Sequence, residues 1–247
     1  MATRFDHGPN SAWETLFATA PVAAFKANPR FRTEFAPVYY RGRLNGSARI
    51  LVIGQDPSTD EILAQRTLVG KAGQLVQGLL KKLGITRSYV MLNTFLYGIH
   101  GQYDTAMRNL SRSEPFLSFR NSLFDRVKAT SPIEAVIAFG RGAGDSYDNW
   151  LGGQTLPVFK LMHPTAQTGV GANWNLRLPD LLAAITPDAG ATIDPTPYAG
   201  NPGDQDRHDI PRIDLNFGVP DWFGTTGTHS SRLGTNDKIT WSVEESS

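Results

Sequence analysis

Four short apolar runs recur along the chain, and they restrict its fold more than any other sequence feature. They are "RILVIG" (49–54), "YVMLNT" (89–94), "IEAVIAFG" (133–140) and "LPVFKLM" (156–162). Each run is rich in aliphatic residues and has the length of a strand rather than of a helix. Such continuous apolar runs are typical of strands that are buried on both faces of a sheet.

The segments between these runs have helical periodicity. "KAGQLVQGLLKKLGI" (71–85) places its leucines and a valine on one helical stripe. Further helices are predicted at 113–129, 142–151 and 179–185, with Pro179 in the first turn of the last, and one or two short helices are predicted within 11–28. The alternation of strands and helices predicts an α/β fold with three α/β/α layers around a central, mostly parallel four-stranded sheet.

The composition excludes several classes of protein. The chain has no cysteine, which excludes disulfides, zinc–thiolate sites and cysteine-held iron–sulfur clusters. The first residues are polar and lack the apolar core of a signal peptide, and no apolar run approaches the roughly 18 residues of a membrane span. We therefore expect a cytoplasmic protein that has no membrane segment.

The formal net charge of +1 conceals two parts of opposite sign. Residues 1–186 carry +7 and residues 187–247 carry −6. The second part is rich in Pro, Gly and Asp and has no clear period, so we predict an α/β domain over 1–186 followed by an acidic extension over 187–247, with possible short strands at 212–223 and 238–243. The basic body suits a polyanion such as DNA, although an ordinary solvated surface explains the charge equally well. The extension could cover an edge of the body or compete with DNA for its basic face.

Polar side chains follow the predicted strands at their carboxyl ends. Asp56, Asn93, Arg141 and His163 each stand at or just after the end of a different strand. Because ligands of open α/β sheets bind outside the carboxyl ends of the strands, we expect these four side chains to gather along one edge. Individually, Asp56 could be a turn or helix-cap residue and His163 a structural histidine. Together they favour a binding or catalytic site.

Three of these strand ends resemble motifs of a known family. "GQDPS" (54–58), "LNT" (92–94) and "HPT" (163–165) resemble, in this order, the motifs of the uracil-DNA glycosylase superfamily. "RTLVGKAGQLVQGLLKKLGI" (66–85) is similar to a stretch of its iron–sulfur branches, whose cluster cysteines are absent, so the chain resembles an atypical member. The resemblance covers about 49–185. It implies an enzyme that flips uracil out of single- or double-stranded DNA and hydrolyses its N-glycosidic bond, leaving an abasic site in base excision repair. It also implies that no metal or other cofactor is needed, and we expect a monomer.

The resemblance also assigns roles to individual residues. Asp56 would stabilise the oxocarbenium-like sugar and orient the attacking water, and His163 would bind the oxygen on which the leaving base gathers charge. Asn93 would read the edge of uracil and reject cytosine. Gln55 would offer its backbone amide to the base.

Other matched positions depart from the family pattern. Ser58 stands where the best-known branch has a tyrosine that blocks the thymine methyl group, which leaves thymine exclusion open. Leu68 stands in place of a phenylalanine that stacks on the flipped base, and Gln167 in place of an apolar wedge that enters the duplex. The resemblance further implies that DNA is contacted by Lys71, Arg141, Thr165 and Gln167.

Two alternatives from other functional classes remain open. The first is a uracil-DNA-binding or DNA-trapping protein with little turnover, since one branch of the superfamily traps DNA through a loop histidine after its second strand. His100 lies in a comparable place, but the basic insert of that branch is absent, so a surface-loop histidine is favoured. The second is a hydrolase or transferase that acts on a free nucleoside or another small molecule.

Overall fold

The computed structural model describes residues 5–226 and contains one five-stranded sheet of order β1-β3-β2-β4-β5. The strands are β1 (Tyr40–Gly42), β2 (Ile50–Gly54), β3 (Tyr89–Asn93), β4 (Ala135–Phe139) and β5 (Val158–Leu161). All neighbours pair in parallel except β1, which runs antiparallel to β3. The mostly parallel sheet is therefore confirmed, but it has five strands instead of four. The additional edge strand is only three residues long, which is too short to produce a readable period.

Helices cover both faces of this sheet. They are α1 (Ser11–Phe17), α2 (Val22–Ala27), α3 (Thr59–Ala64), α4 (Lys71–Lys82), α5 (Thr105–Ser111), α6 (Phe116–Thr130), α7 (Gly140–Asp148) and α8 (Val170–Ala184). Successive β2 residues point to opposite faces: Leu51 and Ile53 pack with α6 and α7, whereas Ile50 and Val52 pack with α4 and α8. These two cores give the predicted three layers.

Helix α8 begins nine residues before the predicted start at Pro179. Val170, Trp174, Leu178 and Leu181 lie on one buried stripe of this helix, and Pro179 lies in its interior. A proline inside a helix costs about 3 kcal/mol because it removes a hydrogen bond and crowds the preceding turn. Burial of the apolar stripe offsets that cost, so the placement of Pro179 in a first turn was wrong.

The described part of the extension, residues 187–226, follows the body in irregular segments. It contains short 3₁₀ turns at Asp204–Asp206 and Arg212–Asp214, and an isolated bridge pairs Asn216 with Asp6. The predicted strand at 212–223 is therefore wrong, since a 3₁₀ turn and a glycine at positive φ, Gly218, interrupt that run. The predicted strand at 238–243 lies outside the described residues. Within residues 5–226, no helix combines the length and the apolar character needed to cross a membrane.

Candidate functional site

The candidate site lies at the carboxyl edge of the parallel strands. Gly54 at the end of β2 is level with Asn93 at the end of β3. Beyond the strands, the N–H groups of Thr94 and Phe95 donate to the carbonyl oxygens of Gly54 and Gln55 at 2.9 and 3.0 Å. The two loops that follow β2 and β3 are therefore fixed to each other, and the side chains that they carry have defined positions.

Asp56 lies on the first of these loops and is held by two neutral donors. Its Oδ1 accepts from the Gln55 amide at 3.0 Å, and its Oδ2 accepts from the Ile99 N–H at 2.9 Å. Burial raises the pKa of the Asp56 carboxyl above its usual value, and the two hydrogen bonds offset this only in part. The charge of Glu61 raises this pKa further, while that of Arg32 lowers it. The result is a partly desolvated carboxylate with an increased tendency to take up a proton.

His163 follows β5 and has a defined tautomer. The backbone N–H of Thr165 donates to its Nδ1 at 3.3 Å, and the Thr165 hydroxyl lies 3.0 Å from the same nitrogen. A backbone N–H can only donate, so Nδ1 is the acceptor and the neutral ring carries its proton on Nε2. Burial lowers the pKa of His163, opposed by the charge of Glu61. At neutral pH the side chain is thus a neutral Nε2–H donor.

Two glycines at the start of α7 make room for these side chains. A Cβ on Gly140 would lie 3.4 Å from the Cβ of His163, and a Cβ on Gly142 would lie 2.6 Å from the Cγ of Gln55. Gly142 therefore admits the amide that holds Asp56, and a larger residue there would displace Gln55. No prediction from the sequence gave this glycine pair a role.

Asn93 and Leu68 converge on Gly54, the last residue of β2. A Cβ on Gly54 would come within 2.3 Å of the Asn93 Oδ1 and within 3.8 Å of the Leu68 Cδ1. Asn93 is only 3% exposed, and its Nδ2 has no hydrogen-bond partner. An unpaired buried amide costs about 1 to 3 kcal/mol, so a ligand that accepts a hydrogen bond from this group would recover that cost.

Leu68 occupies an unusual backbone position. Its φ of 54° lies in the left-handed region, which a leucine rarely adopts. A Cβ on Gly73 would lie 1.6 Å from the Leu68 carbonyl oxygen, so the glycine of "VGKAG" lets the first turn of α4 approach the Leu68 backbone. Strained residues of this kind concentrate at functional sites.

Glu61 holds these loops together, although it was not among the residues predicted from the sequence. Its buried carboxylate accepts from the backbone N–H groups of Ser58, Val69 and Gly70 at 3.0 to 3.1 Å, and also from the Ser58 hydroxyl. It thereby joins the loop after β2 to the loop that carries Leu68. The spacing Ser-x-x-Glu, which is that of a capping box, was the available signal. Because Glu61 occupies the Ser58 hydroxyl, contact between Ser58 and a substrate stays a prediction.

All four predicted DNA-binding residues are exposed around this edge. Arg141 lies in the first turn of α7, beside Gly140, and Thr165 lies beside His163. Lys71 opens α4, where its ammonium group is 3.7 Å from the carboxylate of Asp204 in the extension. Gln167 is exposed, and its carbonyl oxygen accepts from the side chain of Asn201 at 3.2 Å. Two of the four are thus in contact with the extension.

His100 lies close to the same edge. It is exposed, and it directly follows Ile99, whose N–H donates to Asp56. Its own backbone is fixed by Arg30, which accepts from the His100 N–H at 2.7 Å and donates through Nε to the His100 carbonyl oxygen at 3.3 Å.

Taken together, the edge combines a partly desolvated carboxylate, a neutral imidazole donor and an unpaired amide. In the part of the chain that the structure describes, no three His, Asp or Glu side chains lie close enough together to hold a metal ion. The arrangement is suited to recognising a planar ring with alternating donors and acceptors, and to stabilising charge as a bond to that ring breaks.

Comparison with known proteins identifies the family of the chain. The family model of the uracil DNA glycosylase superfamily matches residues 41–186, which include β2 to β5. Of the site residues named above, only Arg30, Arg32, Asn201 and Asp204 lie outside this range. Among curated proteins, none matches the chain significantly. Since the match spans more than half of the chain, the protein belongs to the uracil DNA glycosylase superfamily.

Proposed function

We propose that the protein is a monofunctional DNA glycosylase that flips uracil out of DNA and hydrolyses its N-glycosidic bond, leaving an abasic site. The observation that carries this proposal is the buried, unpaired amide of Asn93 beside Gly54, at the same edge as Asp56 and His163. A small planar ring bound there would satisfy the amide and would lie at the edge that carries both ionisable groups. Membership of the superfamily supports a glycosylase in general, and the chemistry of these side chains favours uracil.

Recognition of the base follows from the amide. Asn93 donates from Nδ2 to O4 of uracil and accepts at Oδ1 from N3–H. Cytosine presents a donor at position 4 and an acceptor at N3, so both hydrogen bonds would be lost. Leu68 covers one face of the ring with aliphatic contact instead of aromatic stacking.

Bond cleavage uses the two ionisable side chains. As the bond between C1′ and N1 breaks, its electron pair moves into the base, and the Nε2–H of His163 stabilises the charge that develops on O2. The carboxylate of Asp56 stabilises the positive sugar and orients a water for attack on C1′. The raised pKa of Asp56 makes it a suitable acceptor for the proton that this water loses. The departing uracil anion takes a proton from solvent.

The test is excision of uracil from a labelled single-stranded oligonucleotide, followed by hot alkali and a denaturing gel. We expect cleavage at uracil by the wild type and strong loss in Asp56→Ala and His163→Ala. Asp148→Asn is the matched control, because Asp148 lies at the other end of α7, where it pairs with Lys160 at 2.5 Å. A thymine strand shows whether Ser58 leaves the pocket permissive. Full activity in both site variants would contradict the assigned roles.

The same gel separates the two alternatives. A DNA-trapping protein leaves a persistent protein–DNA adduct that His100→Ser abolishes, and the exposed position of His100 next to Ile99 is compatible with it. An enzyme acting on a small molecule leaves the strand intact and shows no salt-sensitive DNA binding, whereas a protein that contacts phosphates weakens steeply as salt rises.

A further inference from the structure

We propose that residues 32–37, "RTEFAP", form a DNA-contacting arm whose exposed Phe35 stacks on the bases next to the flipped nucleotide and fills the gap that it leaves. This inference rests on the proposed function and adds to it the residue that holds the duplex open. Gln167, which stands where an apolar wedge was expected, has a polar side chain, and its loop is tied to Asn201.

The sheet topology places the arm beside the candidate site. Strand β1 is antiparallel to β3, with Tyr40 opposite Leu92, so the residues that precede Tyr40 lie beyond the carboxyl edge of the sheet. There the N–H of Val38 donates to the Leu96 carbonyl oxygen at 2.9 Å. The arm therefore projects from the same edge as Asp56 and Asn93.

The base of the arm touches the loop that holds Asp56. The N–H of Arg32 donates to the Gly98 carbonyl oxygen at 2.8 Å. A Cβ on Gly98 would lie 2.6 Å from the carbonyl oxygen of Pro57 and 3.6 Å from the Cδ of Arg32, so the three segments meet at one point. Pro57 follows Asp56, and Ile99, which follows Gly98, donates its N–H to Asp56. The backbone of Arg32 is thus hydrogen-bonded to Gly98, the residue before the one that donates to the proposed catalytic carboxylate.

Both ends of the arm are anchored, while its middle is free. Phe31 is buried among the rings of Phe25, Phe95 and Phe116, and Val38 is fully buried. Between these anchors, Phe35 is 58% exposed. A large aromatic ring on a short loop with fixed ends is held near one position, so stacking it on a base costs little conformational entropy.

The charges of the arm are compatible with a DNA partner, but they are not its main contribution to binding. Arg32 is exposed, and no carboxylate among residues 5–226 forms an ion pair with its guanidinium group, so a phosphate can bind there. Glu34 is also exposed and has the opposite charge. The arm therefore contributes to DNA binding chiefly through the ring of Phe35, which stacks on any base without regard to sequence.

The test compares excision of uracil from duplex and from single-stranded DNA under single-turnover conditions. Phe35→Ala should lower the rate constant on duplex about tenfold, as expected for the loss of one base–aromatic stack, and on single strands by less than about twofold. The retained single-strand rate excludes a folding defect of Phe35→Ala as the cause, and Phe35→Trp should keep the duplex rate because it preserves an aromatic ring for stacking. The matched control is Leu151→Ala, because Leu151 is 85% exposed but lies next to α6 and the start of β5, at the opposite edge.

The outcomes distinguish failure of the proposed arm from failure of the proposed glycosylase function. Equal rates for Phe35→Ala and the wild type on duplex, or equal losses on both substrates, would overturn the arm and leave the glycosylase intact. If the wild type excises no uracil, the proposed function fails. The arm is then judged by the fluorescence of 2-aminopurine placed beside uracil in a duplex, which should rise on binding of the wild type and not of Phe35→Ala. A wild type that binds no DNA overturns both.

Discussion

Two regions of the molecule bury aspartates in opposite ways. At the carboxyl edge of the sheet, Asp56 receives hydrogen bonds from two neutral donors, and burial raises its pKa. Where the extension meets the body, burial would also raise the pKa of Asp188. There, however, hydrogen bonds from Ser88, from Arg49 and from the backbone N–H groups of Arg87 and Thr86 hold that pKa well below its usual range.

Asp214, the second buried aspartate of the extension, has a comparable set of partners. It receives a hydrogen bond from the Tyr89 hydroxyl at 2.5 Å and forms ion pairs with Arg43 and with the fully buried Arg41. Burial alone raises the pKa of Asp56 and of Asp188 alike. The two regions therefore differ in how many donors offset the cost of burying a carboxylate. A carboxylate surrounded by donors stabilises the fold, whereas one with few donors costs stability and is reactive.

The largest effect is expected when Asp56, the poorly compensated carboxylate, is replaced. Asp56→Asn should reduce the single-turnover rate of uracil excision about a thousandfold, within the range that one acid–base group contributes. The free energy of unfolding at neutral pH should rise by about 1 kcal/mol, because an amide avoids burial of charge. In the wild type, this destabilisation is present above the raised folded-state pKa and is relieved as the pH falls through it. Loss of both activity and stability would mean that Asp56 is a structural residue.

Replacement of Asp214 tests whether a buried carboxylate with many donors stabilises the fold. Asp214→Ala should lower the free energy of unfolding by about 3 to 5 kcal/mol, because Arg41 is left buried with its charge uncompensated. Urea unfolding with an unchanged slope measures this loss. Asp221→Ala is the control within the extension, since the Asp221–Arg212 pair is partly exposed and should contribute less than about 1 kcal/mol. A small effect of Asp214→Ala would contradict the stabilising role of Asp214 and leave Asp188 as the buried aspartate that ties the extension to the body.

The stabilisation that Asp188 contributes should depend on pH. Asp188→Asn should lower the free energy of unfolding at neutral pH by about 2 kcal/mol, since it weakens charge-assisted hydrogen bonds. The pKa of Asp188 is depressed in the folded state, so its stabilisation is complete above the usual aspartate pKa and is lost as the pH falls through the folded-state value. The stabilities of variant and wild type should therefore converge in acid. A constant difference from neutral pH to about pH 3 would exclude this linkage.

The sequence predicted the sheet and the edge because both depend on local pattern. Apolar runs identify strands, and the polar residue at each strand end follows from the topology, which is how Asp56, Asn93 and His163 were found. The features that were missed depend on contacts that are distant in sequence. Strand β1 exists only because β3 offers an edge, and Glu61 acts on Val69 and Gly70 through a loop whose course no period reveals. The composition of the extension likewise gave no sign that Asp214 is the partner of Arg41.

The smallest effect concerns Asp204, an exposed aspartate that links the two regions. It is 71% exposed and lies 3.7 Å from Lys71, one of the predicted DNA-binding residues. Asp204 also pairs with the buried Arg207 at 3.4 Å, so Asp204→Asn should lower the free energy of unfolding, but by no more than about 1 kcal/mol because the carboxylate itself is exposed. The same substitution should tighten binding of uracil-containing DNA about two- to threefold at low salt, since the lysine becomes free for a phosphate, and the gain should vanish at high salt because both effects are screened.

The matched control for Asp204 is Asp194→Asn at the other end of α4. Asp194 pairs with Lys82 at 2.5 Å, so its replacement frees a lysine of the same helix far from the candidate site. Tighter binding in the Asp204 variant alone would mean that the extension competes with DNA at the edge of the site. Equal gains in both variants would reduce the effect to net charge, and the part of the extension near Asp204 would then serve the fold, as Asp188 and Asp214 do.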